Sequence, residues 1–149
     1  MAQSKYGLLF NLSQEKVDAA AERMRRAQGQ YSVAQNKQTQ LMAFLAEYQG
    51  RLKNGGVRGM GIGQWRDFQQ FLLRLQEAVT IQQGEVELCL QRLMMERAHW
   101  QDERKKLKAY EKLIEREREA AQRAESRRAQ KLTDEFASRK FWDESQGND

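Results

Sequence analysis

Asn54-Gly55-Gly56-Val57-Arg58-Gly59-Met60-Gly61-Ile62-Gly63 interrupts a chain whose residues on both sides follow the spacing of a long helix. Five of the ten glycines stand between Gly55 and Gly63. Each disfavours a helix interior by about 1 kcal/mol relative to alanine, and each reaches positive φ freely. The stretch reads as the turn of a hairpin, over residues 54–63, with the residues before it doubling back on those after it. Its repeated Gly-x-Gly spacing is not a nucleotide fingerprint. No strand-like segment precedes it, the third glycine of that fingerprint is missing from the helix start, and no Lys-Ser or Lys-Thr follows as a phosphate loop requires.

Upstream, Ser13 is placed to cap a helix, with Glu15 in its first turn and Leu12 and Val17 as a hydrophobic staple. This predicts a first helix over about 13–53. Its alternating 3,4 spacing passes through Val17, Ala20, Met24, Ala27, Tyr31, Ala34, Gln38, Leu41, Leu45, Tyr48 and Leu52, a coiled-coil seam with one polar member. The alanines let a partner backbone approach closely, and the larger Leu and Tyr side chains place most of the buried area near the turn.

Downstream the spacing restarts at Trp65. It continues through Phe68, Leu72, Leu75, Val79, Gln82, Val86, Cys89, Leu93, Glu96, Trp100, Glu103 and Leu107 to Tyr110, Ile114, Glu117, Ala121 and Ala124. A second helix over about 64–139 follows, roughly 110 Å long at 1.5 Å per residue against roughly 60 Å for the first. Folding at the glycines sets Leu52 by Trp65, Tyr31 by Val86, Met24 by Leu93, Val17 by Trp100 and Phe10 by Leu107. The two stripes agree in phase, so the predicted fold is all-α: an antiparallel coiled-coil hairpin in one domain, with the second helix longer than the first. Residues 140–149 read as a frayed polar tail.

Composition supports this class. The chain has no proline, 40% apolar and 32% charged residues, and an apolar pattern confined to a narrow stripe, which suits long helices and not a large globular core. A single cysteine rules out an internal disulfide framework and suits a reducing compartment. Neither a signal peptide nor a membrane span is expected, because no apolar run is long enough, and the expected location is cytoplasmic. Catalytic constellations are missing. His99 has no second histidine or cysteine at ligand spacing, Cys89 falls on the seam as a small apolar residue, and the glutamates lie along helix faces instead of converging on a pocket. No enzyme activity, cofactor or metal is expected.

Two features exceed what a two-helix seam needs. Past Leu107 the second helix has no first helix to lie against, yet Tyr110, Ile114, Ala121 and Ala124 continue the stripe and Leu132 and Phe136 resume it after a phase shift. The segment Glu96 to Lys140 is more than half charged, with fourteen basic and ten acidic residues, so it reads either as a solvated single helix or as a segment for a complementary partner site. Near the turn, Phe71, Leu75, Ala78 and Gln82 follow i, i+4, i+7, i+11 on a face rotated from the seam, with Met60, Ile62 and Leu73 adding apolar side chains. They either wrap the seam or anchor a protein partner.

The run Gln64-Trp65-Arg66-Asp67-Phe68-Gln69-Gln70-Phe71-Leu72-Leu73-Arg74-Leu75-Gln76-Glu77-Ala78-Val79, directly after a Gly/Met turn, resembles the signature of the FliJ family, coiled-coil proteins of the bacterial flagellar type III export apparatus. Ala124-Glu125-Ser126-Arg127 and Asp134-Glu135-Phe136-Ala137-Ser138-Arg139 resemble the family's C-terminal segment, and Val17-Asp18-Ala19-Ala20 resembles its first helix. The resemblance implies a fold similar to the γ stalk of rotary ATPases. It also implies a non-enzymatic role: the end carrying the termini enters the hexameric export ATPase, and other surfaces reach the cytoplasmic domain of the export gate and help recycle export chaperones. The protein would then work in the cytoplasm, peripherally at the inner membrane beside the flagellar basal body. On this reading the gate takes Phe71, Leu75, Ala78 and Gln82, and the ATPase ring takes Tyr110, Ile114, Arg116, Arg123, Arg127, Leu132 and Phe136.

Two other classes remain for a basic coiled coil with net charge +5. A nucleic-acid-binding hairpin would need a one-sided basic stripe with interleaved aromatics, whereas here the charges are mixed. A generic tether or scaffold fits the heptads, but it gives no reason for the overhang or for the apolar face beside the turn.

Overall fold

The computed structural model describes residues 5–53 and 59–147. Two helices account for nearly all of them, α1 over Gly7–Lys53 and α2 over Ile62–Gln146, of 47 and 85 residues. They pack against each other as a helical hairpin with the second helix the longer. No strand occurs among the described residues. The centre of the expected turn, residues 54–58, lies outside them. On its far side Gly59 takes φ +90°, a conformation that glycine reaches without the clash a Cβ would bring. The Gly61 carbonyl then accepts the Trp65 N–H at 3.0 Å and opens α2.

The chain divides into two compact units, Lys16–Glu103 and Met1–Glu15 with Arg104–Asp149. In the first, the seam follows the expected spacing. Val17, Ala20, Ala27 and Ala34 of α1 are buried, as are Leu72, Val79, Gln82, Cys89, Leu93 and Glu103 of α2. The intervening seam positions, from Met24 to Leu52 and from Trp65 to Trp100, are half-buried. Two helices enclose only a core one side chain thick, which is why a large residue at the edge of the contact keeps some exposure. The most enclosed positions therefore collect along the alanines of α1 and the residues facing them, and the Leu, Tyr and Trp residues nearer the turn, Leu72 excepted, are half open.

Contacts across this seam fix the antiparallel register. Gln82 Nε2 donates to the Ala34 carbonyl at 3.0 Å, and the Tyr48 and Phe68 rings meet edge-on at 6.2 Å. Arg23 Nη2 pairs with Glu96 Oε1 at 2.9 Å, and Arg92 Nη1 reaches Gln30 Oε1 at 3.4 Å. Pairing 34 with 82 and 48 with 68 lies within one residue of the register that the two stripes imply.

In the second unit the helix ends differ from expectation. α1 begins at Gly7 and not near Ser13: Phe10 N–H already bonds to the Tyr6 carbonyl at 2.8 Å, and no acidic residue lies in the first turn. Ser13 is 5% exposed inside the helix and so cannot act as its cap. The 3,4 spacing explains this, since Phe10, Ser13 and Val17 extend the seam backwards and burial outweighs a cap worth about 1 kcal/mol. Tyr6 and Phe10 are half-buried, whereas Leu8, Leu9 and Leu12 are exposed.

The added turns of α1 also change the overhang. Leu107, Tyr110, Leu113, Ile114 and Glu117 are half-buried, and only from Arg118 to Gly147 is every residue exposed. At its far end α2 runs to Gln146, past the expected stop near Arg139 and through most of the segment expected to fray. Nothing from Lys140 to Gln146 breaks a helix, and Gly147, whose N–H bonds to the Asp143 carbonyl at 3.0 Å, is the first residue that does. No helix among the described residues is long and apolar enough to cross a membrane.

Candidate interaction surfaces

Beside the turn, the Phe71 ring stands edge-on to Tyr48, centroids 4.9 Å apart and planes at 74°, and remains 43% exposed. Tyr48 bridges Phe71 to Phe68, and the Arg51 guanidinium lies 5.0 Å over its ring while pairing with Glu47 at 3.0 Å. The Phe71 ring is thus fixed edge-on against Tyr48 while part of its surface stays exposed. Leu75 and Ala78, which follow it along α2, are half-buried.

Gln82 departs from the expected surface. It is 6% exposed, and its amide is directed to the Ala34 carbonyl in the seam, so it is not part of an open face. Its number satisfied both the seam spacing and the rotated stripe, and the close approach permitted by Ala34 drew it inward. Sequence reasoning passed over Met42 and Phe44 on α1, both about half exposed. Their signal was available, because both are large apolar residues off the seam spacing. Leu73, Met60 and Ile62 are exposed as expected.

The second surface belongs to the unit containing Arg104–Asp149. Tyr110 and Ile114, expected to lack a mate within the chain, are half-buried there, since α1 starts earlier than its cap signal suggests. Leu132 and Phe136 are 67% and 71% exposed. Arg116, Arg123 and Arg127 are exposed and make no ion pair among the described residues, whereas Arg118 lies 4.0 Å from Glu115. Phe141 and Trp142, which the sequence reading left in the tail, are also exposed on the helix. Large apolar side chains standing in water between cations have the composition of a binding segment.

Cys89 is buried with Sγ 3.7 Å from Glu85 Oε1; burial pushes its thiol pKa up first, the Glu85 charge and hydrogen bond add to this, and Arg92 opposes it. The side chain is therefore a thiol at neutral pH, not a nucleophilic thiolate. His99 is exposed, and no group of three or more His, Cys, Asp or Glu suited to a metal occurs among the described residues.

Comparison with known proteins shows the family. A family model described as flagellar FliJ protein matches residues 3–146. The flagellar FliJ protein of Escherichia coli K12 is 28% identical over 131 residues, covering 88% of this chain and 89% of that protein. The flagellar FliJ protein of Salmonella typhi matches at the same identity and coverage.

Proposed function

Because the chain belongs to the FliJ family of flagellar proteins, we propose that it serves flagellar protein export as a non-enzymatic stalk. In this role it activates the hexameric export ATPase and links it to the export gate. The observation that carries the proposal is the stretch from Arg118 to Gly147, wholly exposed and bearing Leu132 and Phe136 among Arg123, Arg127 and other cations. A lone helix gains nothing from large apolar side chains in water, but a binding site that covers them does. Apolar anchors hold the complex while the cations steer its approach, so affinity divides into a salt-insensitive and a salt-sensitive part.

The action on the ATPase follows from symmetry. One chain cannot touch six subunits alike, so it binds some nucleotide states better than others and biases the ring through that difference in affinity. Phe71, Leu75 and Ala78 form the face toward the cytoplasmic domain of the gate, with the Phe71 ring as anchor. Export chaperones are released or recaptured on the remaining surface. The protein works in the cytoplasm, peripherally at the inner membrane beside the basal body.

The test is ATP hydrolysis by the cognate export ATPase with the intact protein, with Leu132→Asp/Phe136→Asp, and with residues 1–117. The cut follows Glu117, the last half-buried position, so that the hairpin is retained. Loss of stimulation with an unchanged melting curve is expected for both variants. Stimulation equal to that of the intact protein would remove the stalk assignment for this segment.

A further inference from the structure

Within the unit Lys16–Glu103, a groove of about 820 Å³ runs between the helices midway along the hairpin. Its floor is the enclosed side of the seam at Ala34 and Cys89, and Val33 and Ile81 form its walls, 68% and 73% exposed. Gly29 also lines the groove without a side chain, and a Cβ built there would meet open space, with nothing within 4 Å. Three cations border the groove, Arg26 and Lys37 from α1 and Arg92 from α2, against the single carboxylate of Glu85. Among the described residues Arg92 donates to the neutral Gln30 amide oxygen, and Arg26, Lys37 and Arg92 have no ion pair.

We propose that this groove docks an amphipathic helix of a partner protein, with its apolar stripe on Val33 and Ile81 and acidic residues directed at Arg26, Lys37 and Arg92. The shape favours a helix. A trough between two helices takes a third at the usual packing distance of about 8–10 Å, whereas an extended peptide would meet no sheet edge and leave its backbone groups unpaired. The charge favours carboxylates, because three cations without an ion pair among the described residues border the groove with one glutamate. Phosphates would match the cations, but exposed valine and isoleucine between them face a polyanion poorly. The groove shares no residue with Phe71, Leu75 and Ala78 or with Leu132 and Phe136, although Ile81 and Gln82 follow Ala78 by one helical turn, so variants at Arg26 and Gly29 on α1 test it separately from the gate and ATPase assignments.

The probe is a labelled helical peptide with leucines at i, i+4, i+7 and i+11 and glutamates on the flanking positions, titrated against the full-length protein by fluorescence anisotropy. It is compared with a lysine-flanked version and with a scrambled order of the same composition. Saturable binding of the acidic helix, weakened by salt and missing for both controls, is expected. Gly29→Met projects a side chain into the groove and should weaken binding at least about tenfold without lowering the melting temperature, since the position is helical and open. Arg26→Glu/Lys37→Glu/Arg92→Glu should transfer the preference to the lysine-flanked peptide, with circular dichroism as the check that this variant is folded. Equal binding of the scrambled peptide, or displacement by a DNA oligonucleotide, would show that charge alone is read and overturn the proposal. So would an undiminished affinity of Gly29→Met. If sedimentation shows a free dimer that Gly29→Met converts to monomer, the occupant is a second copy and the assignment to a partner is wrong.

Discussion

Gln82 offers the sharpest test of the seam, because it is a polar side chain at its centre and its hydrogen bond crosses between the helices. The accepting Ala34 carbonyl lies within α1, where it also takes the N–H four residues on, so removing Gln82 leaves no orphaned acceptor. Gln82→Ala forfeits the hydrogen bond, about 1 kcal/mol net, and adds a packing defect of about 1 kcal/mol. The sum of roughly 2 kcal/mol corresponds to a fall in melting temperature of about 4–8 °C for a chain of this size. Gln82→Leu keeps the volume and replaces a buried amide by hydrocarbon, so it should lie within about 1 kcal/mol of the wild type or above it. What leucine loses is register, since a polar seam residue works only opposite its acceptor. Thermal unfolding followed by circular dichroism measures the first effect. Disulfide trapping between Met24→Cys and Leu93→Cys in a Cys89→Ala background measures the second: intramolecular product alone with Gln82, additional off-register or intermolecular products with leucine. A leucine variant as unstable as the alanine variant would refute the reasoning, and purely intermolecular trapping with Gln82 present would refute the hairpin.

Phe71→Ala removes an edge-on contact with Tyr48 worth about 1 kcal/mol, and Leu75→Ala removes a seam residue at about 2 kcal/mol; both should weaken gate binding, but the second should lower the melting temperature more. Equal destabilisation would make Phe71 a packing residue. Arg23→Gln breaks the pair with Glu96; Arg23 is largely exposed but Glu96 is half-buried, so the loss should be about 1 kcal/mol at low salt and shrink in high salt, and a loss that salt leaves unchanged would contradict a partly screened pair. Leu93, at 4% exposure, should lose about 2–3 kcal/mol on truncation to alanine in urea unfolding, and a change under 1 kcal/mol would show that the seam collapses around it. Cys89 should react with an aromatic disulfide reagent far more slowly in the folded protein than in denaturant. Its pKa is raised above the ordinary value of 9.0, so its contribution to stability is complete below that pH and declines as pH rises beyond it. Cys89→Ala should remove that part of the alkaline slope, and an unchanged slope would place its origin elsewhere.

The hairpin, its register and the unequal helix lengths were legible in the sequence because each rests on periodicity. From Val17 to Leu52 and from Trp65 to Glu117, every position of the 3,4 series is buried or half-buried. A repeat of that length leaves the chain one face to hide, and the glycines leave one place to fold. The helix ends, the reach of the overhang and the side that Gln82 takes were settled only by tertiary pairing. Ser13 carries a genuine local cap signal, but Tyr6 and Phe10 gain burial when the helix runs on past it, and no local pattern weighs one against the other. Gln82 satisfies two stripes at once, and the Ala34 carbonyl on the other helix decides between them. The mid-hairpin groove has the same origin. Val33 and Ile81 lie far apart in the chain as ordinary exposed residues, and a trough edged by Arg26, Lys37 and Arg92 exists only when α1 and α2 are laid side by side. Periodicity is a property of one helix, whereas a groove depends on the register between two.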